Sequence, residues 1–232
     1  MFVVLLGLGG CHIDDDMLVI NRPGLAREAA AAQRRMHARF AAASRIQEAI
    51  AFSDLERARA EARQIAALDE SEASLTWQPY FDSVRDAAQQ VELSTSHVDA
   101  ARLAAVLGQR CANCHVAIAA RVTFPVEPRP ADGSKLAVQM PGHQWAAAQM
   151  WHGLIGPSDE RWIAGARALA TVRLTGVAQS VTPASELDVD DLARIRLYAN
   201  RALTAKPQDA RAELFGTLLT TCAHCHAVLR DR

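Results

Sequence analysis

Apolar residues recur at steps of three and four positions along most of the chain, which is the period of amphipathic α-helices. The clearest stripe lies in the first quarter of the sequence. It is followed by Ser53 and Glu56, whose spacing predicts a capping box at the start of a second helix. The stripe consists of Met36, Phe40, Ala43, Ile46 and Ile50.

Each half of the chain is predicted to form four helices. In the first half, the first helix carries the apolar stripe and the second begins after Ser53. The third covers about 80–93, and the fourth begins near Ser96. Short loops between such helices favour antiparallel up-and-down bundles, so the predicted fold class is all-α. The second half is predicted to form helices over about 142–155, 159–174, 187–204 and 207–230.

The two halves are copies of one unit. Cys-Ala-Asn-Cys-His at 111–115 returns as Cys-Ala-His-Cys-His at 222–226, a shift of 111 positions. Farther upstream the shift is 104 positions, and it pairs Met36 with Met140. Three prolines between the copies indicate an extended linker. The predicted organisation is an N-terminal signal and tether over 1–21, a first four-helix bundle over 22–122, a Pro-rich linker over 123–139 and a second bundle over 140–232.

Composition narrows the class of protein. The 232 residues are 50% hydrophobic and 22% charged, with a formal net charge of −1. These values exclude a disordered chain and a polybasic nucleic-acid binder. Only 5% of the residues are aromatic, which suits closely packed helices. The five cysteines are an odd number, so at least one has a role other than a disulfide.

The N-terminal sequence MFVVLLGLGGC is a short apolar run that ends in small residues and Cys11. It is shorter than the roughly 20 residues of a membrane-spanning helix and is typical of the end of a secretory signal. Residues 8–11 resemble a bacterial lipobox, which makes Cys11 the predicted lipidation site. We therefore expect an exported, periplasmic protein anchored to a bacterial membrane by lipid. A plain signal cleaved elsewhere is the alternative. No Lys or Arg precedes the short run, which predicts a translation start farther upstream.

The two Cys-x-x-Cys-His motifs have the spacing that covalent haem attachment requires. Two thiols one helical turn apart add to the two haem vinyl groups, and the following imidazole binds the iron. A redox dithiol would need a βαβ context, and a four-cysteine zinc site usually has about 15–20 residues between its pairs. We therefore expect two haem c groups. Cys111, Cys114, Cys222 and Cys225 are predicted to attach them, and His115 and His226 to be the proximal iron ligands.

A four-helix unit of this size with Cys-x-x-Cys-His near its C-terminus resembles the class II c-type cytochromes, which include cytochrome c′. The resemblance covers each copy from its first helix to its fourth. It implies a cytochrome c′-type bundle with haem in its interior, bacterial export, and either electron transfer or binding of a small gas such as NO. It also implies that the chain can form a homodimer.

The ligand opposite each proximal histidine separates these functions, because an iron with two protein ligands mainly transfers electrons. The resemblance assigns that position to the first helix of each unit, where Met36 and Met140 are candidate distal ligands. Core packing is the alternative role for both methionines. Ligation by two histidines is disfavoured, since His143 corresponds to Arg39 in the first copy.

The leading hypothesis is a dihaem electron carrier that is not an enzyme and exchanges electrons with unidentified redox proteins. The alternative is a five-coordinate haem module that binds a gas such as NO. A dihaem peroxidase is disfavoured, because the sequence contains no evident acid–base set for peroxide chemistry.

Overall fold

The computed structural model describes residues 23–68, 75–131, 133, 135–173 and 189–230. Within these residues the chain forms eight helices and no strand, so the all-α prediction is confirmed. The predicted lipidation site Cys11 lies outside the described residues. The helices are α1 (Pro23–Ala51), α2 (Leu55–Ala66), α3 (Gln78–Glu92), α4 (His97–Ala117), α5 (Leu136–Ile155), α6 (Asp159–Ala170), α7 (Val189–Ala202) and α8 (Gln208–Arg230).

The helix starts follow local capping chemistry. Ser96 caps α4 as predicted, since its hydroxyl accepts a hydrogen bond from the Asp99 N–H at 3.1 Å. The predicted capping box at Ser53 is wrong, because the Asp54 carboxylate caps α2 by accepting from the Arg57 N–H at 3.0 Å. Ser53 has a positive φ of 56° and lies in the tight turn between α1 and α2.

The fifth helix begins earlier than predicted, at Leu136 instead of near 142, and it contains Pro141. Proline lacks the N–H that an interior helical position would donate, which explains why the sequence pattern indicated a later start. The sixth helix ends at Ala170, earlier than the predicted 174.

The segment between the two halves lies against α5 and α6. Residues 120–131 form no helix or strand. The Phe124 ring stacks on His152 with centroids 4.4 Å apart, and the Phe124 carbonyl accepts a hydrogen bond from Arg161 at 2.7 Å. Farther along, the Trp145 indole N–H donates to the Glu127 carbonyl at 3.0 Å. The Pro-rich segment is therefore packed on the second half.

The two halves share one apolar core. Buried residues of both halves form one cluster, and α4 packs directly along α8. Gly216 allows this close approach, because a Cβ at that position would lie 3.1 Å from the Arg102 Cα atom. The helices that end in Cys-x-x-Cys-His are thus neighbours at the centre of the molecule. The division into separate bundles over 22–122 and 140–232 stays a prediction. Among the described residues, no helix is both long and apolar enough to cross a membrane.

Candidate functional site

The first motif lies in the last two turns of α4. Cys114 is buried, and Cys111 and His115 are half-buried. The Nδ1–H of His115 donates to the carbonyl oxygen of Ile155, at 2.9 Å, across the boundary between the two halves. A histidine that donates from Nδ1 keeps its Nε2 lone pair free, and this is how proteins orient imidazole ligands toward a metal. His115 is therefore held in the tautomer that an iron ligand needs.

The thiols of both motifs are in surroundings that favour the uncharged form. Burial raises the pKa of Cys111 and of Cys222 to about 12. It also raises the pKa of Cys114 and of Cys225 above the usual range. Reactive redox dithiols have lowered thiol pKa values, so these pairs do not resemble a disulfide-exchange centre.

The two cysteine pairs also do not form a shared zinc site. Within the described parts of the chain, no group of three or more His, Cys, Asp or Glu side chains converges to hold a metal ion. Each pair lies near the end of its own helix, α4 or α8. A structural zinc site of four sulfurs would need both pairs around one point.

A cavity of about 410 Å³ lies beside the second motif. This volume is within the usual range of cofactor and ligand sites, roughly 300–1,000 Å³. Helices from both halves enclose it. The side of α8 contributes Cys222 and His226, and α5 contributes Met140 and His143. Residues from the second half of α1, among them Gln47, and Phe52 just after that helix also line the cavity.

His143 is a buried polar residue in the lining of this cavity. Its side chain is only 9% exposed, and its Nδ1 has no hydrogen-bond partner. Its Nε2 lies 4.0 Å from the Cys222 sulfur. Burial, together with the nearby His226, lowers the pKa of His143 to about 4, so the ring is neutral and has a free nitrogen lone pair.

The surroundings of the first motif are different. Arg39, at the position that corresponds to His143, is buried and interacts electrostatically with the Cys111 and Cys114 thiols. Its guanidinium lies 4.8 Å from the centroid of the Phe81 ring and donates to the Met36 sulfur at 3.5 Å. Met36 and Arg39 therefore lie together on the side of α1 that approaches the first motif.

The second motif is also contacted by the end of α1 from the first half. The Phe52 ring lies against His226 with centroids 4.8 Å apart. The Ser53 hydroxyl donates to the Ala223 carbonyl at 2.5 Å. Each motif is thus contacted from the other half, by Ile155 at the end of α5 in one direction and by Phe52 and Ser53 just after α1 in the other.

Comparisons with protein-family models, with curated proteins and with solved structures find no match to this chain. What the site does is therefore inferred from its own residues. Those residues fit a haem at the second motif, where the Cys222 thiol, two imidazoles and a cavity of suitable size come together. At the first motif the fit rests on the two thiols and on the tautomer of His115.

Several contributors to the site were not identified from sequence. The sequence indicates Arg39 only as the counterpart of His143, and the burial that makes this arginine unusual is a property of the folded chain. The Ile155 carbonyl is a backbone group and has no signature in the sequence. Phe52 follows the apolar stripe of α1 and gave no indication that it would contact His226.

Proposed function

We propose that this protein is a dihaem c-type cytochrome that carries electrons. The observation that carries the proposal is the repeated Cys-x-x-Cys-His motif, whose second copy borders a 410 Å³ cavity lined by Cys222 and His226. Covalently bound haem supplies a one-electron iron couple. The resemblance to class II c-type cytochromes points in the same direction.

The proposed roles follow from the residues of each motif. Cys111 and Cys114 attach one haem, and Cys222 and Cys225 attach the other. His115 and His226 bind the two irons. The hydrogen bond from His115 to the Ile155 carbonyl holds the first imidazole in place and raises its basicity as a ligand.

Electron transfer between the two sites is supported by the packing of α4 on α8. The two helices contribute to one shared apolar core. The low dielectric of such a core reduces the solvent reorganisation that accompanies a change in charge. Met36, near the first motif, and Met140, in the second cavity, remain the candidate distal ligands proposed from sequence.

The cavity also supports a second candidate function, a five-coordinate haem that binds a small gas such as NO. The space beside Cys222 could hold both a haem face and a diatomic ligand. This candidate requires that one iron has no distal protein ligand. A peroxidase would require in addition an acid–base pair close to a bound peroxide. We favour the carrier because both motifs have side chains of ligand type facing them.

The proposed location is the periplasm, with a lipid on Cys11 holding the protein at a bacterial membrane. Expression of the full chain behind a complete bacterial signal should place it in the membrane fraction. Cys11→Ser should move it to the soluble periplasmic fraction with the haem content unchanged. Equal partition of both forms would contradict the lipid anchor.

The central experiment is export of the full chain in a bacterium that matures c-type cytochromes, followed by mass measurement under denaturing conditions. We expect two covalently bound haems. The double variants C111S/C114S and C222S/C225S should each lose one of them. Ferric and ferrous absorption spectra should be low-spin and change little with CO. A wild-type chain without haem would exclude the function, and high-spin ferrous haem that binds CO would favour the gas-binding alternative.

A further inference from the structure

We propose that His143 is the distal iron ligand of the second haem, so that His226 and His143 bind that iron from opposite sides. This inference rests on the proposed function and specifies one of its sites. It also makes the two haems chemically different, because Arg39 occupies the corresponding position at the first motif.

The first argument is the position of the ring. His143 projects from α5 into the cavity that Cys222 and His226 line from α8. Its Nε2 lies 4.0 Å from the Cys222 sulfur, which is one of the two proposed attachment points. A haem attached at Cys222 and Cys225 would therefore have His143 at its edge or over its face.

The second argument is hydrogen bonding. His143 is 9% exposed and its Nδ1 lacks a partner, and a buried polar group without a partner is costly. Coordination of iron by either ring nitrogen would give this buried imidazole a strong partner. Met140 lines the same cavity one turn earlier on α5, but its thioether carries no comparable requirement.

The third argument comes from the first motif. The guanidinium of Arg39 has no acceptor lone pair and stays protonated, so it cannot bind iron. It instead donates to the Met36 sulfur at 3.5 Å. The first haem therefore cannot have the ligand set proposed for the second. A bis-histidine haem has a lower reduction potential than a histidine–methionine haem, so the second haem should be the more difficult to reduce.

The test uses the full chain with both haems attached, counted by mass under denaturing conditions. The variants are His143→Ala, His143→Met and Met140→Leu, and the control is His37→Ala, which removes an exposed histidine of α1. The readouts are the ferrous spectrum with and without CO, the electron paramagnetic resonance spectrum of the ferric protein, and a potentiometric titration.

We expect the wild type to be low-spin at the second haem. His143→Ala should make one of the two haems high-spin and able to bind one equivalent of CO, and added imidazole should restore the low-spin form. His143→Met should give that haem the sulfur-to-iron charge-transfer band of a histidine–methionine site and a higher potential. His37→Ala should leave both haems low-spin. Met140→Leu, which removes the competing candidate ligand, should also leave both haems low-spin if His143 is the ligand.

Three results would overturn the inference while leaving the proposed function intact. One is a His143→Ala protein with two low-spin haems and no CO uptake. Another is a Met140→Leu protein in which one haem becomes high-spin. The third is a wild type whose second haem already binds CO when reduced. A wild type without covalent haem would overturn the proposed function itself, and this inference with it.

Discussion

The surroundings of the two motifs differ much more than the motifs themselves. Beside the second motif, a cavity of about 410 Å³ contains His143, and Gln47 and Leu219 form part of its lining. Beside the first motif, the positions that correspond to Gln47 and Leu219 are Trp151 of the second half and Gly108 of the first, and the indole of Trp151 packs tightly against Gly108. Duplicated units can therefore keep their attaching residues while the facing side chains diverge.

This difference matters because the facing side chains set what a bound haem would do. At the second motif a neutral imidazole is available to an iron, whereas at the first a buried cation lies near the thiols. A nearby positive charge favours the reduced, less positive state of an iron centre. For the proposed dihaem protein, the comparison therefore predicts unequal reduction potentials of the two haems.

The largest expected effect comes from Trp151→Ala, which removes the side chain that fills the space beside the first motif. Trp151 is 1% exposed, stacks on Phe215 at 5.4 Å and donates to the Ser44 hydroxyl at 3.2 Å. Its removal leaves a large void between the halves and should lower the free energy of unfolding by about 3–5 kcal/mol. Denaturant titration measures the loss. The half-buried Trp145 is the control, and Trp145→Ala should cost about 1–2 kcal/mol. Equal losses for the two variants would contradict the role assigned to Trp151.

Arg39→Leu tests whether the buried positive charge near the first motif raises the reduction potential of the first haem. Loss of the buried guanidinium should lower the reduction potential of the first haem by on the order of 50 mV, since about 1.4 kcal/mol corresponds to 59 mV for one electron. The second haem should keep its potential. A redox titration that resolves two transitions measures both values. Arg34→Leu, an exposed change on the same helix, should shift neither. A shift confined to the second haem would show that Arg39 acts elsewhere.

Gly108→Ala tests the tight packing at the first motif. A Cβ there would lie 2.8 Å from the Trp151 Cζ3 atom and 3.1 Å from the Leu154 Cδ2 atom. Overpacking costs about 1–3 kcal/mol, and the better helix propensity of alanine offsets about 1 kcal/mol of it. We expect a net loss of about 1 kcal/mol in thermal or chemical unfolding. Gly142→Ala is the matched control, because a Cβ there meets no atom within 4 Å and should stabilise by about 0.5–1 kcal/mol.

The smallest expected effect concerns an ion pair of the second half only. Arg211 is buried and pairs with Asp159, whereas the corresponding positions of the first half are Ala100 and Leu55. The hydrogen bond from Arg211 lowers the pKa of Asp159 below its ordinary value of 3.8. Because the pKa of Asp159 is lower in the folded state than in the unfolded state, the ion pair stabilises the protein at pH values above the unfolded-state pKa. This contribution is lost as the pH falls through the folded-state pKa.

Asp159→Asn should therefore destabilise by about 0.5–1 kcal/mol at neutral pH, a small amount because the carboxylate is largely exposed. The difference from the wild type should disappear in unfolding measurements as the pH is lowered below 3.8. Glu160→Gln removes the adjacent carboxylate of the same helical turn and is the control. A difference that grows on acidification would contradict the assigned pair.

Much of the helical architecture was predictable, because helix periodicity and capping are local properties. Ser96 with Asp99 three residues later correctly predicted the start of α4. The same reasoning failed at Ser53, because Asp54 competes for the capping position and Ser53 instead donates to Ala223 on α8. A long-range partner of this kind leaves no local pattern.

The candidate site was predictable only in part. The motif residues could be identified from spacing alone, and so could the methionines of the two first helices. Because His143 corresponds to Arg39, the sequence argues against a histidine ligand only if both halves bind their haems in the same way. Their environments differ because α5 and α8 help to enclose a cavity around His143, a relation that depends on the tertiary structure.

The sequence by itself determined the helices, the twofold repetition and the residues that make up each Cys-x-x-Cys-His motif. These features follow from the 3.6-residue period and from covalent spacing along one chain. Only the tertiary structure decided that α4 packs on α8, that the Ile155 carbonyl accepts from His115, and that His143 is buried without a partner for its Nδ1. Such relations join residues distant in sequence, and side-chain packing selects them, so no local period can encode them.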